Sequence, residues 1–265
     1  MLLRRIIDHV KAQNWTAIVI DFVIVVVGVF IGIQVSNWND ARQDAYRTQS
    51  YYNRLIADLE SERRALLARI DYMGVTESYG QSALEALNDP AAKRTSSFLV
   101  AAYQVSQIWT YSVQRATYDE ILASGIAEAI PDLELRTRLA NVFLNAEAMR
   151  QVVVASTPYR EQIRSFLPND IQTAIRERCS DDFIPTEGSL LILVLPDSCA
   201  LEFSDSQITA AINSLDEYVQ FERHLVQRLA SIAIKRSAIE AHLLLIESLV
   251  EDLRTHLRQS PSGVP

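Results

Sequence analysis

Between Asn14 and Asp40 the chain reads NWTAIVIDFVIVVVGVFIGIQVSNWND, and its one carboxylate before Asp40, Asp21, is the side chain with the clearest chemical potential. Acids inside apolar spans are rare and face protein or water, where they relay protons or meet a cation. Counted from Trp15, Asp21 lies roughly 9 Å inside the apolar run at helical rise. Three uses compete: proton transfer, a contact to a Lys or Arg of a partner, and reach to interfacial water. Gly28, Gly32 and Ser36 share one helix face, a small-residue ladder that lets a second helix backbone approach closely. Gln34 and Asn37 would add interhelical hydrogen bonds or mark the exit into the headgroups.

Other reactive side chains offer less. His224 and His242 stand 18 residues apart, five helical turns, with His256 off that line. Along one helix that separation is roughly 27 Å, whereas metal ligands must lie within a few ångströms of the ion. The histidines therefore read as exposed or partly packed. Glu60, Glu62, Glu217, Glu222, Glu247 and Glu251 fall among Arg and Lys at helical spacing and read as solvated faces with i,i+4 pairs. Tyr103, Trp109, Tyr111 and Tyr118 read as core packing ahead of a small-molecule cleft. No H-E-x-x-H, C-x-x-C, G-x-S-x-G or glycine-rich phosphate loop is present. The sequence thus nominates no catalytic residue, no metal and no cofactor, and favours a non-enzymatic protein.

The element that holds Asp21 is a membrane-span candidate. From Thr16 to Ser36 only Thr16, Asp21, Gln34 and Ser36 are polar. As a helix this stretch is roughly 31 Å long, matching the bilayer's hydrocarbon thickness. Its Val and Ile content would favour a strand in water, but lipid forces a helix because every backbone N–H and C=O must be satisfied internally. Trp15 and Trp38 fall at the two ends, where indoles anchor to the interface. A cleaved signal peptide is the rival, since Arg4, Arg5 and Lys11 precede the run. The run exceeds a typical signal core, and it ends in Gln-Val-Ser-Asn-Trp with no A-x-A-like site, so an uncleaved anchor is expected.

Charge sets the expected orientation. The chain carries −8 overall and +2 in its first 15 residues, hence −10 beyond them. The positive-inside rule then keeps residues 1–14 in the cytoplasm and translocates the acidic remainder. Fourteen residues are too few for a signalling output domain, which removes full-length chemoreceptors and sensor kinases. An acidic exterior without a basic, aromatic-interleaved patch argues against nucleic acid as partner.

Beyond the span (15–38), only five of the seven glycines remain, and long helices are expected over 39–258, with a disordered tail at 259–265. Tyr52, Leu55, Leu59, Leu66, Ile70 and Met73 form one amphipathic stripe, stopped by Asn88-Asp89-Pro90. A second helix is expected over 94–111. Thr117 and Glu120 have capping-box spacing, and Gly125 suits a left-handed helix end. Pro131 is expected in the first turn of the next helix, which runs to Pro158, and a further helix covers 159–178. Residues 206–258 carry a 3–4 apolar spacing that slips near Arg236. Between Cys179 and Cys199 the short LLILVL run reads as a strand or packed loop. In an oxidising compartment the two cysteines would close it, a gain of about 3 kcal/mol, with two buried free thiols as the alternative.

The phrase IVIDFVIVVVGVFIGIQVSNWND, with Asn37, Trp38 and Asn39 at its end, and the later TYDEILASG, spanning Tyr118, Glu120, Ser124 and Gly125, resemble an uncharacterised family of bacterial single-pass membrane proteins. Members often carry Glu at the position of Asp21. The resemblance implies an N-terminal anchor and a helical exterior domain, and it supplies no activity. The expected fold is all-α: one transmembrane helix plus a bundle of long antiparallel helices, placed at the bacterial inner membrane. Expected partners are the membrane, and either further copies of the chain or a multi-span membrane protein.

Overall fold

The computed structural model describes residues 15–125, 129–185 and 191–259, without the side chains of 15–19 and 21. The expected cytoplasmic segment 1–14 and the tail beyond Gln259 lie outside the described residues. The chain divides after Tyr51 into two units. Its fold is all-α with one small sheet.

Helix α1, Trp15–Leu87, is continuous through both the apolar run and the amphipathic stripe. Phe22 to Trp38 is exposed along its whole length, and this part of α1 is long and apolar enough to cross a membrane. From Tyr52 onward the helix instead buries one face, including Tyr52, Leu55, Leu59 and Leu66. Asp89 then caps a short turn, α2 (Pro90–Lys93), by accepting from the Ala91 amide at 2.9 Å.

Helix α3, Ser96–Gln104, is buried almost all round, with Leu99, Ala102 and Tyr103 fully enclosed. It stops well short of the expected Tyr111. The reason is electrostatic: Arg160 and Arg228 capture the carbonyls of residues 105–107 and hold them off the helical path. Helix α4, Ala116–Ser124, also departs from expectation. Its first turn is served by Asp58 of α1, which accepts from the Thr117 amide at 3.2 Å, while Glu120 is engaged by Arg54. No Thr117–Glu120 capping box forms. Gly125 does end the helix at φ 104°.

Pro131 precedes rather than enters α5 (Leu133–Val154), whose N-cap is Asp132. The helix expected over 159–178 is broken at Pro168 into α6 (Pro158–Phe166) and α7 (Asn169–Arg178). Gln172 bridges the break by donating to the Arg164 and Leu167 carbonyls at 2.8 and 2.7 Å. Strands β1 (Asp182–Pro185) and β2 (Leu191–Val194) pair antiparallel, Asp182 opposite Val194. Helix α8, Asp205–Asp216, opens with a Ser204–Gln207 capping box. The final helix α9, Phe221–Gln259, packs on α5 and α6. It runs unbroken through Arg236; the interruption lies earlier, at residues 217–220.

Gly80 sits where α1 meets α9. A Cβ there would come within 2.5 Å of Leu229 Cδ2 and 2.8 Å of Val105 Cγ2. Gly80→Val should therefore lower stability by about 1–3 kcal/mol through overpacking, read as a shifted urea midpoint. An unchanged midpoint would contradict this packing.

Candidate functional site

The residues nominated by the sequence fall into three places. Asp21 lies within α1, and its side chain, like that of Trp15, is outside the described residues. Gly28 and Gly32 have open space where a Cβ would stand, and Ser36, Asn37, Trp38 and Asn39 are exposed. The Arg42 guanidinium lies 5.8 Å from the Trp38 ring centre.

The TYDEILASG phrase forms a packing joint. Tyr118 is buried and stacks on Phe143 with ring centres 4.2 Å apart and 11° between planes. Glu120 accepts two hydrogen bonds from Arg54, which hold its carboxyl below the usual range. Ser124 Oγ donates to the Ile121 carbonyl at 3.3 Å. These contacts seat α4 against α1 and α5.

Cys179 and Cys199 form a disulfide with Cα atoms 5.8 Å apart, enclosing the β1–β2 hairpin. Two phenols of α1 hold this loop: Tyr72 donates to Asp181 at 3.1 Å and Tyr79 to the Pro196 carbonyl at 2.8 Å. Burial drives the Tyr72 phenol far up, so it remains a donor, and raises Asp181 above the usual carboxylate range.

The most unusual chemistry was not legible as such: a set of buried charges. Glu62 is not on a solvated face. It is buried, accepts from the Tyr111 hydroxyl, and has its carboxyl pushed up by burial. His242 is neither exposed nor partly packed but 1% exposed, with Nδ1 2.8 Å from Asn145 Oδ1. Burial lowers its imidazole to about 4, so it is neutral at pH 7. His224 meets the Tyr218 hydroxyl at 2.7 Å, and His256 lies edge-on to Tyr52. Of the four aromatics, Tyr103, Tyr111 and Tyr118 are core residues, and Trp109 is half-buried beneath the Arg69 guanidinium at 4.0 Å.

Two cations, Arg69 and Arg228, bond to the irregular segment 105–111, and Lys235 lines the same pocket. Arg69, Arg228 and Lys235 are only 7%, 5% and 5% exposed, where an unpaired charge is costly. Arg228 donates from Nε to the Val105 carbonyl (3.0 Å) and from Nη2 to the Gln107 carbonyl (2.6 Å). Arg69 Nη2 reaches the Thr110 carbonyl at 2.8 Å, and Lys235 Nζ the Ala155 carbonyl at 2.5 Å. Burial, reinforced by Arg228, brings the Lys235 ammonium down to about 8; burial brings Arg228 to about 10. The three line a partly open pocket of about 20 Å³ together with Tyr72, Thr76 and Trp109. Lys235 left a signal in the sequence. The spacing slip near Arg236 is the point where a lysine takes a core position between Ile232 and Ile239.

Among the described residues, no three His, Cys, Asp or Glu side chains converge as metal ligands. The chain matches no family model, and no curated protein or solved structure gives a significant match to it.

The shifted groups define two pH windows. Unfolded His242 titrates near 6.5 and folded His242 at about 4. The unfolded chain therefore binds the extra proton between them, and stability present above pH 6.5 is lost as pH falls toward 4. Unfolded Lys235 titrates near 10.5 and folded Lys235 at about 8. By the same linkage, stability rises with pH from about 8 to 10.5. Urea midpoints across both windows should show these slopes, with His242→Gln removing the acid one and Lys235→Met the alkaline one. Slopes that persist in the variants would assign them to other groups.

Removal of the disulfide gives a separate check. Without reductant the denatured protein should show no reactive thiol, and Cys179→Ser/Cys199→Ser should cost about 3 kcal/mol.

Proposed function

We propose that this chain is a single-pass membrane protein of the bacterial inner membrane, with its N-terminus in the cytoplasm and residues 39–258 outside. Its role is non-enzymatic: a helical scaffold or accessory subunit that assembles through its span and its exterior helices. The observation that carries this reading is the change of face along α1. The helix leaves Phe22 to Trp38 uncovered on every side, then buries one stripe from Tyr52 onward. A helix apolar all round must be covered by something, and lipid is the solvent that tolerates it.

Assembly is supported by what remains uncovered. Gly28, Gly32 and Ser36 offer the ladder for a second span. Outside it, Leu144 of α5 and Val226, Ile234 and Leu244 of α9 are 70%, 48%, 62% and 68% exposed, apolar side chains that a partner helix would cover. Asp21 favours one further reading, in which the partner is a multi-span protein and the acid carries protons or answers a partner cation.

Native mass analysis after gentle solubilisation from the host membrane tests the proposal. A homo-oligomer, or a fixed-ratio complex with a multi-span protein, is expected; a soluble monomer would overturn it. Asp21→Asn then separates the roles: loss of function at unchanged abundance marks proton or partner chemistry, and unchanged function marks a plain scaffold.

A further inference from the structure

We propose that the partly open pocket lined by α1, α9, the end of α5 and segment 105–111 binds one small monovalent anion of halide size. Its wall carries three cationic side chains, Arg69, Arg228 and Lys235, and no carboxylate. The hydrogen bonds these three donate all end on backbone carbonyls: Ala65 and Thr110 for Arg69, Val105 and Gln107 for Arg228, Ala155 for Lys235. Carbonyl dipoles offset only part of such a charge. The C-terminal end of a helix such as α3 supplies about half a negative charge, against the whole positive charges of Arg228 and Lys235. Of the carboxylates nearby, half-buried Asp181 accepts from Tyr72 and faces Arg160 and Arg164, and buried Glu62 accepts from Tyr111 and faces Arg69, which leaves Arg228 and Lys235 without a carboxylate. Arg160 and Arg164 add positive potential from α6, and Arg160 and Lys235 each share a repulsive neighbour in Arg228.

Donors remain for an occupant. An ammonium has three hydrogens, and Lys235 spends one on Ala155. Arg228 donates through Nε and Nη2, leaving its Nη1 hydrogens without a protein acceptor among the described residues. The volume, about 20 Å³, has room for a small particle such as a water or a single-atom anion. A water would accept the same hydrogen bonds and leave Arg228 and Lys235 without a counter-charge; a halide answers both. The apolar part of the wall, Met73, Ile108 and Ile232 among it, favours an ion that sheds its hydration readily. This inference is independent of where the chain sits in a cell.

The test uses the full chain in detergent. Potassium chloride replaces potassium gluconate at fixed ionic strength while thermal unfolding is followed. Ligand linkage predicts a melting temperature that climbs with the logarithm of chloride once the site fills, with bromide acting alike. Lys235→Met should fold, because it removes a buried charge, and should raise the half-effective chloride concentration at least tenfold. Crystals grown in bromide should show an anomalous peak inside the cavity. A melting temperature indifferent to chloride, an equal response in Lys235→Met, or bromide peaks confined to the surface would each overturn the proposal and leave a water-filled cavity.

Discussion

The helical core beyond Tyr52 depends on arginines that bond to backbone carbonyls where no secondary structure can. Val105 and Ser106 are fully buried, yet the chain has left α3 by this point and its carbonyls have no helical partner. A buried carbonyl without a donor costs about 1–3 kcal/mol. Arg228 from α9 and Arg160 from α6 supply donors within 3.0 Å to residues 105, 106 and 107. Arg69 from α1 does the same at Thr110. Hydrogen bonds to charged donors contribute about 1.5–3 kcal/mol each, so this joint weighs as much as several buried leucines. It also fixes identity: α1, α6 and α9 are brought to one segment through directional contacts that apolar packing alone does not provide.

That constraint explains what sequence reading could and could not reach. The helical class, the continuous stripe from Tyr52 to Met73, the stop at Asn88-Asp89-Pro90 and the strand between the cysteines were legible, because each rests on a local pattern. The end of α3 was not. Residues 105–111 carry helical periodicity, and only distant arginines override it. The capping of α4 failed for a similar reason: Asp58, 59 positions before Thr117, takes the place of the local acceptor. Glu62 read as part of a solvated face, and His242 as exposed or partly packed, because their spacing is the same for a solvated face and for a buried polar contact. Burial is decided by Tyr111 and Asn145, and neither spacing announces them.

One helix with two kinds of surface organises the rest. Phe22 to Trp38 leaves its apolar side chains exposed on all sides, long and apolar enough to cross a membrane, and the same helix after Tyr52 buries one apolar stripe. No helix break separates the two regimes. The TYDEILASG joint acts on this second part of α1, where Arg54 and Asp58 receive α4. The phrase is therefore explained by packing on the helix that also carries the apolar run.

Native-state hydrogen exchange at the amides of Val105, Ser106 and Gln107 tests the arginine-held core most directly. The account predicts exchange as slow as in the middle of α3, through global unfolding alone, in the parent protein. In Arg228→Met the same three amides should open locally and exchange much faster than α3. Rapid exchange in the parent protein, or equal protection in the variant, would show that the segment does not depend on these cations and would contradict the account.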